Sequence, residues 1–85
     1  MDMTSEQKAI FDKLAELLGP FNEKGAEIKP ETEISVDLAI DSVSVMDFVM
    51  EVEDHFNIDI PLNVLSDTHT MQDLVGVVQA RFKKA

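Results

Sequence analysis

The stretch LAIDSVSVMDFVMEVEDHF, residues 38–56, contains a long amphipathic pattern. Its apolar side chains recur at helical spacing, which predicts a helix over Ser42–Phe56 with one face in the core. The members of that face are Val45, Phe48, Val49, Val52 and Phe56. A second apolar row, made of Val43, Met46 and Met50, flanks the first. The second row either fills gaps in the core or forms an apolar docking strip, and both interpretations are open from the sequence.

A first helix is predicted over Ser5–Leu18. Thr4, with Gln7 three residues later, forms a capping-box pattern at its start, and Gly19 followed by Pro20 marks its end. The chain between this helix and the central one has no long periodic segment, although apolar residues are spaced along it. Connections of this length without structure of their own are uncommon in compact domains and usually carry function. We therefore expect an ordered connection rather than a flexible linker.

A closing helix is predicted over Met71–Phe82. Thr70 and Asp73 give it an N-terminal cap, and Gly76 within it is expected to allow another helix to approach closely. The preceding segment LNVLSD, residues 62–67, has room for one short turn of helix at most. The sequence thus predicts an all-α fold.

The composition is that of a small globular protein. The 85 residues are 45% apolar and include three Gly and three Pro, which is typical of a folded chain too short for a deep catalytic cleft. Cysteine is absent, which excludes disulfides, zinc–thiolate sites and a cysteine nucleophile. The polar N-terminus lacks a signal-peptide pattern, and no segment approaches the ~18 apolar residues of a membrane helix. We expect one cytoplasmic domain over residues 1–85, without membrane insertion.

The charge is strongly negative and unevenly distributed. A formal net charge of -10 argues against nucleic acids and anionic membranes as partners, because both bind through Lys and Arg. No Lys or Arg lies between Lys29 and Arg81, an interval that holds eleven Asp and Glu residues. Such a field of one sign costs stability. We interpret it as a surface that docks basic partners, with a merely solubilising surface as the alternative.

The pair Asp41-Ser42 marks the start of the central helix. Asp is a preferred N-cap residue, which places Ser42 at the first helical position. A phosphoester on that serine would lie where unpaired backbone N–H groups and the positive end of the helix dipole converge. By itself, the dipeptide predicts nothing more than a helix start.

Catalytic and metal-binding hypotheses find little support in the sequence. Ser42 is not part of a G-x-S-x-G motif. Glu51 and His55, four residues apart, give only two potential metal ligands, and no calcium-binding loop of the EF-hand type is present. We expect neither nucleophilic catalysis nor a metal site.

Taken together, these features resemble the acyl carrier protein family over nearly the whole chain. The resemblance is carried by Ile28, Pro30, Ile34, Asp37, Leu38, Asp41, Ser42, Val43, Asp47, Phe48, Val49, Met50, Glu53, Phe56, Ile60 and Pro61, followed by the capped last helix. It implies an all-α four-helix bundle with a long first loop and a short third helix. It also implies a carrier rather than an enzyme.

The resemblance further implies a cofactor and partners. In the family, a phosphopantetheinyl transferase uses coenzyme A and magnesium to attach 4'-phosphopantetheine to the serine of the Asp-Ser pair, here Ser42 beside Asp41. The thiol of this arm holds acyl groups as thioesters. Synthases and acyltransferases of fatty acid, lipid or polyketide synthesis dock their basic patches on the second helix of a monomeric carrier. The corresponding residues here are Val43, Met46, Asp47, Met50, Glu53 and Asp54.

Several positions depart from the family pattern. Ala39 stands where the family usually has glycine, Val43 replaces the usual leucine, and Ser44 replaces a frequent acid. The short third helix is usually acidic in the family, whereas here it reads PLNVLSD, with a single acid at its end. These departures favour a specialised carrier with a dedicated synthase or acyltransferase. The alternative function is an unmodified acidic helical module that binds a basic or amphipathic partner.

Overall fold

The computed structural model describes residues 4–22 and 25–82, and it contains helices but no strand within those ranges. The helices are α1 (Ser5–Leu18), α2 (Ile34–Asp37), α3 (Ser42–Phe56), α4 (Leu62–Leu65) and α5 (Met71–Phe82), with a short 3-10 turn over Gly19–Phe21. The long helix α1 packs against both α3 and α5. The predicted bounds of all three long helices are confirmed, and α4 is the predicted single turn. The sequence did not predict α2, because four residues are too few to show a helical period.

Local hydrogen bonds at the helix ends explain these bounds. In the predicted capping box, Gln7 N donates to Thr4 Oγ1 at 3.1 Å and Thr4 N donates to Gln7 Oε1 at 2.9 Å. Before α5, Asp73 N donates to Thr70 Oγ1 at 3.0 Å and Thr70 N donates to Asp73 Oδ2 at 3.2 Å. Asn57 ends α3 in the left-handed region, at φ 56°. These contacts satisfy backbone groups that a helix end leaves unpaired.

The core lies between α1, α3 and α5. Phe48 is fully buried, and its ring meets that of Phe21 edge-on, with the ring centroids 6.1 Å apart. The other large, fully buried side chains are those of Leu14, Leu18, Val52, Met71, Leu74, Val75 and Val78. On the predicted core face of α3, Val49 is also buried, whereas Val45 and Phe56 are partly buried against the core. That face is therefore confirmed.

The connection between α1 and α3 is tied to the start of α5 by backbone hydrogen bonds. These run from Ile34 N to His69 O at 3.1 Å, from Met71 N to Thr32 O at 2.9 Å and from Gln72 N to Pro30 O at 2.7 Å. Thr32 is buried, and its Oγ1 accepts a hydrogen bond from Lys29 N at 2.8 Å. The described part of the connection is thus an ordered segment, as expected.

The expectation about Gly76 is wrong. A Cβ atom added there would meet no heavy atom within 4 Å, so no close helix approach depends on this glycine.

Polar side chains also link α1 to α5: Gln7 Nε2 donates to Gln79 Oε1 at 3.0 Å, and Gln79 Nε2 donates to Glu6 Oε1 at 2.8 Å.

Candidate functional site

Ser42 is exposed as the first residue of α3. Asp41 is its N-cap, as predicted, and the Oδ1 atom of Asp41 accepts a hydrogen bond from Ser44 N at 2.9 Å. That bond lowers the pKa of the Asp41 carboxyl below its ordinary value. The carboxylate is therefore charged at neutral pH and engaged with the helix end, while the neighbouring hydroxyl faces solvent.

The first turn of α3 has backbone N–H groups that form no hydrogen bond within the described residues. Ser44 N is bonded to the Asp41 side chain and Val45 N donates to Asp41 O at 3.0 Å, but the N–H groups of Ser42 and Val43 have no partner within the described residues. The helix is 15 residues long, so the positive end of its dipole lies here. An anionic phosphodiester on Ser42 Oγ would meet both the free donors and the dipole. The residues present therefore fit such a group without any basic side chain.

The turn that leads into this site contains a strained residue. Ala39 has φ 52°, in the left-handed region, where a non-glycine residue costs roughly 1 to 2 kcal/mol. Leu38 and Ile40 on either side are buried, whereas Ala39 is exposed. Burial of the two flanking side chains holds the turn in this conformation and directs Asp41 and Ser42 outwards. The glycine that the family usually has at position 39 would adopt this conformation without strain, unlike the alanine found here.

The second apolar row of α3 lies on the surface. Val43 is 68% exposed, Met46 41% and Met50 60%. Their spacing of three and four residues aligns them on one side of the helix. The interpretation that these methionines fill gaps in the core is therefore wrong, and the row forms an exposed apolar strip that begins beside Ser42.

Carboxylates border one side of this strip. Asp47, Glu51 and Asp54 are exposed and are also spaced by four and three residues. Within the described residues, the ion pairs join Lys13 to Glu16 and Lys29 to Glu27. Among the described residues, no cation therefore pairs with any of these three acids. The sequence predicts partner binding by Asp47 and Asp54 but not by Glu51, whose exposure depends on how α3 packs.

Glu53 differs from the other acids of α3. It is half-buried, and its Oε2 atom accepts a hydrogen bond from Ile60 N at 2.8 Å. The carboxylate thus fastens the α3–α4 loop to the helix. Glu53 has a structural contact of its own, in addition to the partner role that the family resemblance implies.

A small cavity lies between α2, α3 and α4. Its volume is about 40 Å³, and its lining includes Ile34, Val45, Phe48, Leu65 and Thr68. A single water-sized group needs roughly 10 to 15 Å³ of such volume. The cavity in this packing therefore accommodates a few such groups, and a long alkyl chain could enter only if the surrounding side chains moved.

The two histidines are exposed, and the ring of His55 meets that of Phe56 edge-on, with the centroids 5.0 Å apart. The residues that the structure describes contain no group of three or more His, Cys, Asp or Glu able to hold a metal ion. In the same ranges, no helix has the length and apolar character needed to span a bilayer.

Comparisons with known proteins are consistent with this geometry. Residues 8–78 match a family model described as "Phosphopantetheine attachment site", and this range includes Ser42 and all of α3. An acyl carrier protein of Thermobifida fusca is 35% identical over 78 residues, which cover 91% of this chain and 99% of the relative. An acyl carrier protein of Myxococcus xanthus is 35% identical over 77 residues, covering 87% and 95%. The meromycolate extension acyl carrier protein of Mycolicibacterium aurum is 31% identical over 78 residues, covering 91% and 80%.

Proposed function

Because the chain belongs to the acyl carrier protein family, whose members carry a phosphopantetheine attachment site, we propose that it carries acyl groups as thioesters on a 4'-phosphopantetheine arm attached to Ser42. The observation that carries this proposal is the exposed Ser42 hydroxyl at the start of a capped 15-residue helix. The protein acts as a carrier, and the chemistry of acyl transfer belongs to its partner enzymes.

Attachment of the arm consumes coenzyme A and requires a phosphopantetheinyl transferase. The Ser42 oxygen attacks the phosphorus that bears pantetheine, the P–O bond inside the diphosphate breaks, and adenosine bisphosphate leaves. The hydroxyl proton is released, and a serine phosphodiester with one negative charge results. In this chain, the free N–H groups of Ser42 and Val43 lie where they can stabilise that charge. Asp41 has a positioning role, because its carboxylate holds the first turn of α3.

The arm, when bound, supplies a thiol to a chain that has no cysteine. The contribution of the protein itself is to hold the attachment point at the surface, next to the exposed apolar strip of α3. An acyl group on the arm is then presented together with a surface that a partner can recognise.

Partner docking is assigned to the outer face of α3. Val43, Met46 and Met50 provide the apolar contact, and Asp47 and Asp54 provide the charges that complement basic patches on synthases or acyltransferases of fatty acid, lipid or polyketide synthesis. Steering by an acidic field raises association rates by ~10- to 1,000-fold, whereas exposed ion pairs add little affinity each. Fast association without tight binding suits a shuttle that must also dissociate.

The attachment is tested by mass spectrometry of the purified apo-protein after incubation with coenzyme A and a broad-specificity phosphopantetheinyl transferase. We expect the mass to increase by one phosphopantetheine in the wild type and in Ser44→Ala, the matched control two residues away, and to stay unchanged in Ser42→Ala. Circular dichroism checks that each variant is folded. No increase in the wild type would favour the unmodified interaction module, and an increase in Ser42→Ala would move the attachment point to another residue.

A further inference from the structure

Leu62 is the most exposed of the large apolar side chains that the structure describes. It is 69% exposed as the first residue of α4. A single exposed leucine is ordinary on a protein surface, whereas a contiguous exposed apolar patch marks an interaction site. Whether Leu62 belongs to an interaction site therefore depends on its position relative to the apolar strip of α3.

The hydrogen bond between Glu53 and Ile60 brings the chain just before Leu62 to the strip side of α3. Glu53 Oε2 lies 2.8 Å from Ile60 N, and Leu62 follows only two residues later. On α3, Glu53 comes three residues after Met50 and seven after Met46, so it shares their side of the helix. The chain just before α4 is therefore fastened to the side of α3 that carries Met46 and Met50.

The two edges of the strip differ in charge. Helix geometry places Asp47, Glu51 and Asp54 on the edge away from Glu53. On the α4 side, the Glu53 carboxylate is half-buried and bonded to the loop, and α4 itself, LNVL, has no charged residue. Asp59 is the nearest other acid in sequence on this side, and it belongs to the loop before α4. The strip thus has one edge with three exposed acids and another edge with fewer charges, on the side of α4 and its exposed Leu62.

We propose that the docking surface extends from the strip of α3 onto α4 through Leu62, and that it fits an amphipathic helix whose basic residues follow only one edge of its apolar face. This inference rests on the docking role of α3 proposed above and names the chemistry of the partner. The basic edge of the partner meets Asp47, Glu51 and Asp54, while its uncharged edge covers Leu62. The first and last of these acids lie seven positions apart, or roughly 10 Å along the helix axis, so the contact extends over about two turns of the partner helix.

Two synthetic helical peptides of identical composition test this surface. Each has a leucine stripe and four lysines, placed either all along one edge or two along each edge. Binding to the apo-protein is followed by fluorescence anisotropy of the labelled peptide. We expect the wild type to bind the one-edged peptide about tenfold more tightly, because the two-edged peptide sets lysines against Leu62. In Leu62→Glu, the new carboxylate pairs with those lysines, and the preference should disappear or reverse.

Val36→Glu is the matched control. Val36 is also an exposed apolar residue, at 68%, but it lies on α2, and its replacement adds the same charge. This variant should keep the wild-type ratio of affinities. Equal binding of both peptides by the wild type, binding of neither, an unchanged ratio in Leu62→Glu, or the same shift in Val36→Glu would each overturn the inference. The peptides need no arm, so such a result alongside a normal mass increase at Ser42 would leave the carrier function standing.

Discussion

The inner and outer faces of α3 are both apolar, yet only the inner face is buried. Phe48 and Val52 are 0% exposed. On the outer face, Val43 is 68% exposed and Met50 60%. A helix in a small bundle has neighbours on one side only, and here α1 and α2 are among those that contact α3. The comparison shows that the two apolar rows of α3 differ in their surroundings: the inner row packs in the core, and the outer row lies at the surface, where we propose that partners dock.

Phe48→Ala should have the largest effect on stability and most directly tests this contrast. The side chain is fully buried and its ring contacts that of Phe21, so we expect the free energy of unfolding to fall by about 3 to 5 kcal/mol. Phe56→Ala should cost less, because Phe56 is only partly buried.

Met50→Ala on the outer face is the matched comparison, and its free energy of unfolding should stay within about 0.5 kcal/mol of the wild type. Urea denaturation followed by circular dichroism measures all three variants. Similar losses for Phe48→Ala and Met50→Ala would remove the distinction between the faces.

Two neighbouring acids of α3, Glu53 and Asp54, should also differ in how much they contribute to stability. Glu53→Ala removes the acceptor for Ile60 N, which should lower the free energy of unfolding by about 1 kcal/mol. Asp54→Ala is the neighbouring control. It removes an exposed acid that forms no ion pair within the part of the chain that the structure describes, so stability should be unchanged or slightly higher because repulsion decreases. Equal effects of the two variants in denaturant titrations would show that the Glu53 contact does not contribute.

Ala39→Gly tests whether the turn that precedes α3 is strained. Glycine relieves the positive φ but makes the unfolded chain more flexible, so a net gain of roughly 0.5 to 1 kcal/mol is expected. The same change in a regular helix, Ala15→Gly in α1, should instead cost about 1 kcal/mol. Thermal unfolding of the two variants measures both signs. A destabilising Ala39→Gly would contradict the strain inferred at this residue.

The smallest expected effect concerns pH and the cap of α3. The bond from Ser44 N lowers the pKa of Asp41 in the folded protein, so the charged carboxylate favours folding. Its contribution is fully present above the ordinary aspartate pKa of about 3.9 and is lost as the pH falls through the lower folded value. Asp41→Asn keeps a capping oxygen without the charge.

The difference in unfolding free energy between wild type and Asp41→Asn should therefore shrink as the pH falls below about 4. Denaturation at a series of pH values measures it. A difference that stays constant down to the lowest pH would show that the charge of Asp41 does not support the cap.

Local signals made most of the helix bounds predictable. The caps at Thr4, Asp41 and Thr70 act within three residues of the helix start, and apolar periodicity supplied the length of each long helix. The short helix α2 escaped prediction because four residues show no helical period, and its start is tied to a distant residue by the bond from Ile34 N to His69 O. Interactions between residues far apart in the chain produce no periodic pattern in the sequence.

Some features of the candidate site were likewise predictable from the sequence, and others were not. The N-cap role of Asp41 and the position of Ser42 followed from two adjacent residues, since capping is a local rule. The contact of Glu53 with Ile60 was not predictable from the helix pattern, because it depends on where the α3–α4 loop folds back. The position that we infer for Leu62 depends on the same contact.

The sequence alone determined the three long helices, the residues that cap them and the apolar positions of α3, because each of these depends on neighbours within about one or two helical turns. Only the tertiary structure decided which apolar row faces water, which carboxylate turns inwards and how the buried Leu38 and Ile40 hold Ala39 in a strained turn. Those outcomes depend on close packing among helices brought together from distant parts of the chain, and packing selects one arrangement among several that the same local pattern permits.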